Sequence, residues 1–111
     1  MNHQQICPGG KKDDGGKNRL DLIPPSVILA LGRVMTYGAE KYGANNWQGV
    51  DIDRYYAALL RHLLAWRGGG VRDPESGMPH LWHVLTNAAF MVYLGGKDEE
   101  SVLSEDESTT P

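Results

Sequence analysis

The chain is nearly devoid of cysteine: Cys7 is its single thiol and lies in a loose N-terminal segment. No intrachain disulfide can form, and a reducing cytosolic setting is expected. Runs of Lys and Arg are also missing, and the 111 residues carry a formal charge of -3. That balance excludes a dedicated surface for duplex nucleic acid, whose phosphates demand several clustered cations, and leaves small anionic ligands open. No apolar stretch approaches the length that spans a bilayer, and no charged-then-apolar leader opens the sequence. The expectation is a soluble, cytoplasmic protein without a membrane partner. Two hydrolytic chemistries are absent as well. His80 and His83 lack the four-residue step and intervening glutamate of a zinc-protease helix, and no Ser/His/Asp or Cys/His pattern stands out.

What is present divides into three parts. Residues 1–13 read as a flexible arm, 14–95 as one all-α domain, and 96–111 as an acidic, disordered tail. The Gly-Gly-Lys17 stretch with Arg19 reads equally as tail or as a loop docked by Leu20, Leu22 and Ile23. Glycines beside Lys17 allow close approach to phosphate, but the strand-loop-helix setting of a P-loop is missing. Pro24-Pro25 starts a first helix with Ser26 as its cap, an apolar face through Val27, Ile28, Leu31, Val34, Met35 and Ala39, and Gly43 as its stop. Asp51 or Asp53 caps a second helix over Ile52 to Trp66, with Tyr55, Leu59, His62, Leu63 and Trp66 on its inner side and three glycines at its end. The turn residues Asp73 to Gly77 then lead into a third helix ending at Gly95-Gly96. Three short helices hide little apolar surface, so a small bundle completed by homo-oligomerisation is expected.

The third helix carries the chemistry. His80, His83 and Asn87 recur at helical spacing and form one polar stripe on a segment otherwise built for burial. A buried polar stripe needs partners, either a side-chain network, a metal, or a polar ligand. Two neutral imidazoles on one face can ligate a divalent cation, with a carboxylate such as Glu40 completing the set. Glu40 reads equally as a solvated carboxylate near a helix terminus, and Asp73 as a turn residue or a carboxylate beside His80. His62, on the inner side of the second helix, points towards the same region. Asn45, Asn46 and Trp47 combine amides that read a nucleobase edge with an indole that stacks on it; the plainer reading is a turn and a tryptophan plugging the core.

The runs GGKNRLDLIPPSVILALGRVMTYGAEKYGANNW, RYYAALLRHLLAW and DPESGMPHLWHVLTNAAF, in that order, resemble the small phage and bacterial proteins of the dATP/dGTP diphosphohydrolase family. The likeness covers about residues 14 to 94. It implies an all-α protein related to the MazG-like pyrophosphohydrolases, which cleave between the α- and β-phosphates with Mg²⁺ or Mn²⁺ held by carboxylates. One departure stands out: no Glu-Glu-x-x-Glu helix is present, and His80 and His83 stand where a second acidic pair is expected. Imidazoles favour softer ions, so the cofactor is a divalent metal, Mg²⁺, Mn²⁺ or Zn²⁺. The resemblance thus implies metal-dependent cleavage of a purine deoxynucleoside triphosphate, dATP or dGTP, to monophosphate and pyrophosphate. From the residues themselves, Glu40, His80, His83 and Asp73 are the candidate metal ligands, with Glu40 and His62 the candidate catalytic residues and His62 a further ligand or a base that orients the water. Phosphate charge falls to Lys17, Arg19 and Lys41, and the base to Asn46 and Trp47. The alternative is a phage protein that sequesters a nucleotide without turnover; a further one is an interaction module whose stripe is only a core network.

Overall fold

Proline decides where the first helix begins. In the computed structural model, which describes residues 9–13 and 15–96, Pro24 sits in extended backbone and Pro25 opens α1, Pro25–Tyr42. A proline at the first helical position gives up an amide that would have no partner there. Ser26, expected as the cap, lies inside the helix, and no side chain caps this end. Gly43 stops α1 at φ 100°, ψ 149°, returning its amide to Ala39. Residues 1–8 and Asp14 of the expected arm and domain start, and residues 97–111 of the expected acidic tail, lie outside the described residues.

A short 3-10 turn, Asn46–Gly49, leads to α2, Ile52–Arg67. Asp51 is its cap: the carboxylate accepts the Asp53 amide at 2.9 Å, which decides between the two candidates. Beyond α2 the chain reverses tightly. Arg72 and Pro79 form an isolated antiparallel bridge, the Asp73 amide reaches Met78 at 2.8 Å, and the Gly77 amide returns to Asp73 at 2.7 Å. Helix α3, His80–Gly95, follows directly. The described residues are therefore all-α, with three helices in the expected order, and no described helix is long and apolar enough to cross a membrane.

Helices α2 and α3 run antiparallel and touch along most of their length. Tyr55 meets Phe90 with ring centroids 4.9 Å apart, and seven residues further along α2, His62 meets His83 at 4.5 Å. Trp66, expected on the inner side, is exposed. The reason is register: α3 starts at His80, opposite His62, so a residue one turn later on α2 has passed the end of its partner. Helix α1 crosses α3 but leans away from α2. The bundle is splayed. Among the described residues only Ala30 and Val34 are buried apolar side chains, whereas His80, His83, Thr86 and Asn87 of α3 are all buried. Thr86 and Asn87 solve this locally, donating to the carbonyls of Trp82 at 2.9 Å and His83 at 2.8 Å.

The backbone of Gly43 occupies a region that a side chain strains, whereas Gly32 lies in mid-helix with open space where a methyl group would stand. Gly43→Ala is expected to lower stability by about 1–3 kcal/mol, and Gly32→Ala to raise it by up to about 1 kcal/mol. Thermal denaturation followed by circular dichroism reads both; equal shifts would contradict this placement of the end of α1.

Candidate functional site

The antiparallel pairing of α2 with α3 sets His62 against two imidazoles at once. Its Nδ1 lies 2.9 Å from Nδ1 of His80, and its ring stacks on His83 at 4.5 Å with the planes 11° apart. The third donor comes from the reversal between the helices. Asp73 is fixed there by its backbone bonds and by its Oδ2, which accepts the Ser76 amide at 2.8 Å. One ligand atom each from His62, Asp73 and His80 lie within 4.8 Å of one another. Ser76 ties the reversal to the stripe: its Oγ accepts the Met78 amide at 3.1 Å and pairs with Nε2 of His83 at 2.7 Å. The hydroxyl proton is then available to a neutral His83. Gly70 packs against the end of α2, where a Cβ would stand 3.1 Å from the Ala65 carbonyl and in ordinary contact with His80.

Burial is the main force lowering the pKa of both His62 and His83. Neighbouring imidazoles lower them further, and Asp73 pulls each the other way. Burial pushes Asp73 upwards, but hydrogen bonds from Ser76 and the charges of His83 and His62 outweigh it, leaving the carboxyl below its usual range. A neutral His62 beside an ionised Asp73 is the pairing of protonation states a divalent cation requires. The spacing fits as well: a tetrahedral ion with two nitrogens at about 2.0–2.1 Å separates them by about 3.3 Å, a few tenths more than the contact between His62 and His80. Two nitrogens and one oxygen leave a fourth position for water or substrate.

Beside this cluster the splay of α1 from α2 opens a cleft of about 710 Å³, floored by α3. That size falls in the range of small-molecule sites. Asn46, Trp47 and Tyr55 line one part of it, and Arg61 and His83 another. Trp47 stacks on Phe90 at 4.4 Å, and the Tyr55 hydroxyl donates to the Trp47 carbonyl at 3.0 Å, so the 3-10 turn is pinned to both α2 and α3. His83 belongs to the cleft wall and to the cluster alike.

A family model described as dATP/dGTP diphosphohydrolase, N-terminal, matches residues 8–102. The chain belongs to that family. A dATP/dGTP diphosphohydrolase from Salmonella phage PMBT28 is 38% identical over 85 residues, which cover 77% of this chain and 29% of the relative. The chain therefore spans less than a third of that relative's length. No solved structure matches.

In this diphosphohydrolase-family domain the expected site residues fall into groups. His62, Asp73 and His80 converge; His83 is adjacent, bonded to Ser76. Glu40 stays outside the cluster. It is exposed and shares a separate groove of about 580 Å³ with Ser76 and Met78, because α1 leans on α3 and the reversal without reaching α2. Lys41 pairs with Glu75, and Arg19 pairs with Asp21 at 2.9 Å. Lys17 is exposed and lines neither cavity. Asn46 and Trp47 do line the cleft, with one indole face taken by Phe90. Sequence reasoning missed Ser76, which resembled ordinary turn chemistry; it leaves Arg54 and Arg61, off the apolar face of α2, to solvent unless a ligand phosphate or a neighbouring subunit reaches them, and both line the cleft.

Folded His62 and His83 favour the neutral form more than the unfolded chain does, whose imidazoles titrate near 6.5. Their contribution is fully present above that value and is lost as pH falls through it towards the lower folded values. The melting temperature in excess chelator is expected to drop between about pH 7 and about pH 5, and the slope to flatten in the His62→Gln, His83→Gln double variant. An unchanged slope in that variant would rule out this assignment.

Proposed function

We propose that this domain hydrolyses a purine deoxynucleoside triphosphate, dATP or dGTP, to the monophosphate and pyrophosphate in a metal-dependent reaction. The observation that carries this reading is the convergence of His62, Asp73 and His80 within 4.8 Å beside a cleft of about 710 Å³. Family membership and the name of the phage relative support it. His62, Asp73 and His80 would hold a divalent cation, Mn²⁺ or Zn²⁺ by their donor chemistry and Mg²⁺ less readily. Such an ion supplies charge neutralisation at phosphorus and a water acidic enough to act near neutral pH. The chain's own side chains do the rest. Ser76 holds His83 where cluster and cleft meet, so the phosphates belong at that end. Asn46 offers an amide and Trp47 an indole edge at the part of the cleft where the base would rest. Glu40 has no part in this reading.

A second reading, nucleotide binding without turnover, draws on one observation: the chain spans 29% of its phage relative, so chemistry there can reside in the remainder. Self-association belongs to the first reading. Leu22, Leu29 and Leu64 are exposed at 68%, 59% and 69%, more apolar surface than so small a buried core balances.

Incubation with each deoxynucleoside triphosphate and Mg²⁺, Mn²⁺ or Zn²⁺ is expected to release monophosphate and pyrophosphate from dATP and dGTP. His80→Ala and Asp73→Asn should each cut turnover by about 100-fold while helicity persists. Binding without any monophosphate selects the second reading; neither binding nor turnover overturns both. Light scattering should give a mass above that of one chain, and a strictly monomeric species would remove self-association.

A further inference from the structure

Arg54 and Arg61 are seven positions apart on α2, which returns them to nearly the same face about 10 Å apart along the axis. Both line the cleft between α1 and α2. Ala57 and Ala58 lie between them on the same wall, and their short side chains leave it open. Four other cations are engaged: Arg19 with Asp21, Lys41 with Glu75, Arg72 with the Gly77 carbonyl, and Arg33 over the Trp82 ring. Neither the Arg54 nor the Arg61 guanidinium makes an ion pair or side-chain hydrogen bond among the described residues. Among those residues no carboxylate lines the cleft either. In a chain of net charge -3, one concave wall thus carries two arginines with no carboxylate partner among the described residues, and such a wall concentrates anions.

We propose that Arg54 and Arg61 are the phosphate-binding residues of the cleft, gripping an extended polyphosphate chain laid along α2. The proposal deepens the nucleotide-hydrolase reading above and rests on it for the identity of the ligand. Guanidinium groups suit the task, since their fork geometry pairs two N–H donors with two phosphate oxygens and their charge does not titrate. Arg61 precedes His62 in the chain, so its end of the wall adjoins the three-donor cluster, while Arg54 adjoins Tyr55, which holds the Trp47 turn. The polyphosphate therefore runs from the aromatic part of the cleft to the histidines. Two grips this far apart select a ligand by its number of phosphates: a monophosphate reaches one arginine, a triphosphate both. Lys17, Arg19 and Lys41 then play no direct role in holding phosphate.

The test uses the full chain with metal removed by chelator and inorganic tripolyphosphate as the probe, read by titration calorimetry. The wild-type chain is expected to bind tripolyphosphate at least about 10-fold more tightly than orthophosphate. Arg54→Gln and Arg61→Gln should each weaken tripolyphosphate binding by about 10-fold or more, with partial recovery in the lysine variants. Arg67→Gln, at the end of α2 and lining neither cavity, should bind as the wild type does. Helical circular dichroism and melting temperature confirm that each variant is folded. No tripolyphosphate binding by the wild type, undiminished binding in both glutamine variants, or an equal loss in Arg67→Gln overturns the proposal. Metal-dependent dATP or dGTP turnover that persists in Arg54→Gln and Arg61→Gln removes these two residues and leaves the hydrolase reading standing. Tripolyphosphate binding that depends on both arginines, in a chain without turnover, supports the anion wall while the hydrolase reading fails.

Discussion

The contact on which everything else depends is the meeting of His62 with His80 and His83 across the antiparallel α2–α3 pair. Three imidazoles drawn together lose hydration, and a buried polar group without a partner costs on the order of 1–3 kcal/mol. The fold answers with a graded set of partners. Thr86 and Asn87 turn back to their own helix, His83 takes Ser76, and His62 and His80 share a single short contact between two nitrogens. Two facing nitrogens can share only one proton, so that pair is the least complete part of the network, and Asp73 lies beside it. A cation completes such a set more naturally than another side chain.

The reversal from Asp73 to Met78 couples the cluster to its surroundings. Its backbone bonds set the carboxylate of Asp73, and Ser76 passes that order on to His83. On the other side Glu75 pairs with Lys41 at the end of α1, so the helix that leaves the cleft open is also tied to the loop that builds the cluster. The splay of α1 is thus a constructive feature: closing it onto α2 would bury more apolar surface and remove the cavity in which Arg54 and Arg61 stand.

Much of this was legible from residue types alone. Pro24-Pro25, Asp51 and the glycines at 43, 68 and 95 punctuate the helices, and three-residue spacing placed His80 and His83 on a buried face. Ser26 misled because two prolines already solve the helix start. The identity of the neighbouring carboxylate was not legible. Helical periodicity ranks faces within one helix, whereas the positions of Asp73 beside the imidazoles and Glu40 away from them depend on loop hydrogen bonds and on the direction in which α1 leans. The place of Arg54 and Arg61 at a cleft depends on the same kind of information. Lying off an apolar face implies water only when no third helix stands across from it, and here α1 does, at a distance that makes a cleft.

In the proposed chemistry, His62, Asp73 and His80 would hold one divalent cation. X-ray absorption spectroscopy of the zinc- or manganese-loaded chain tests this most directly. The predicted first shell contains two imidazole nitrogens and at least one carboxylate oxygen, at about 2.0–2.2 Å for zinc, with the imidazole signal reduced in His62→Ala and in His80→Ala. A loaded protein whose ion shows only oxygen neighbours, or the same imidazole signal in both variants, would contradict it.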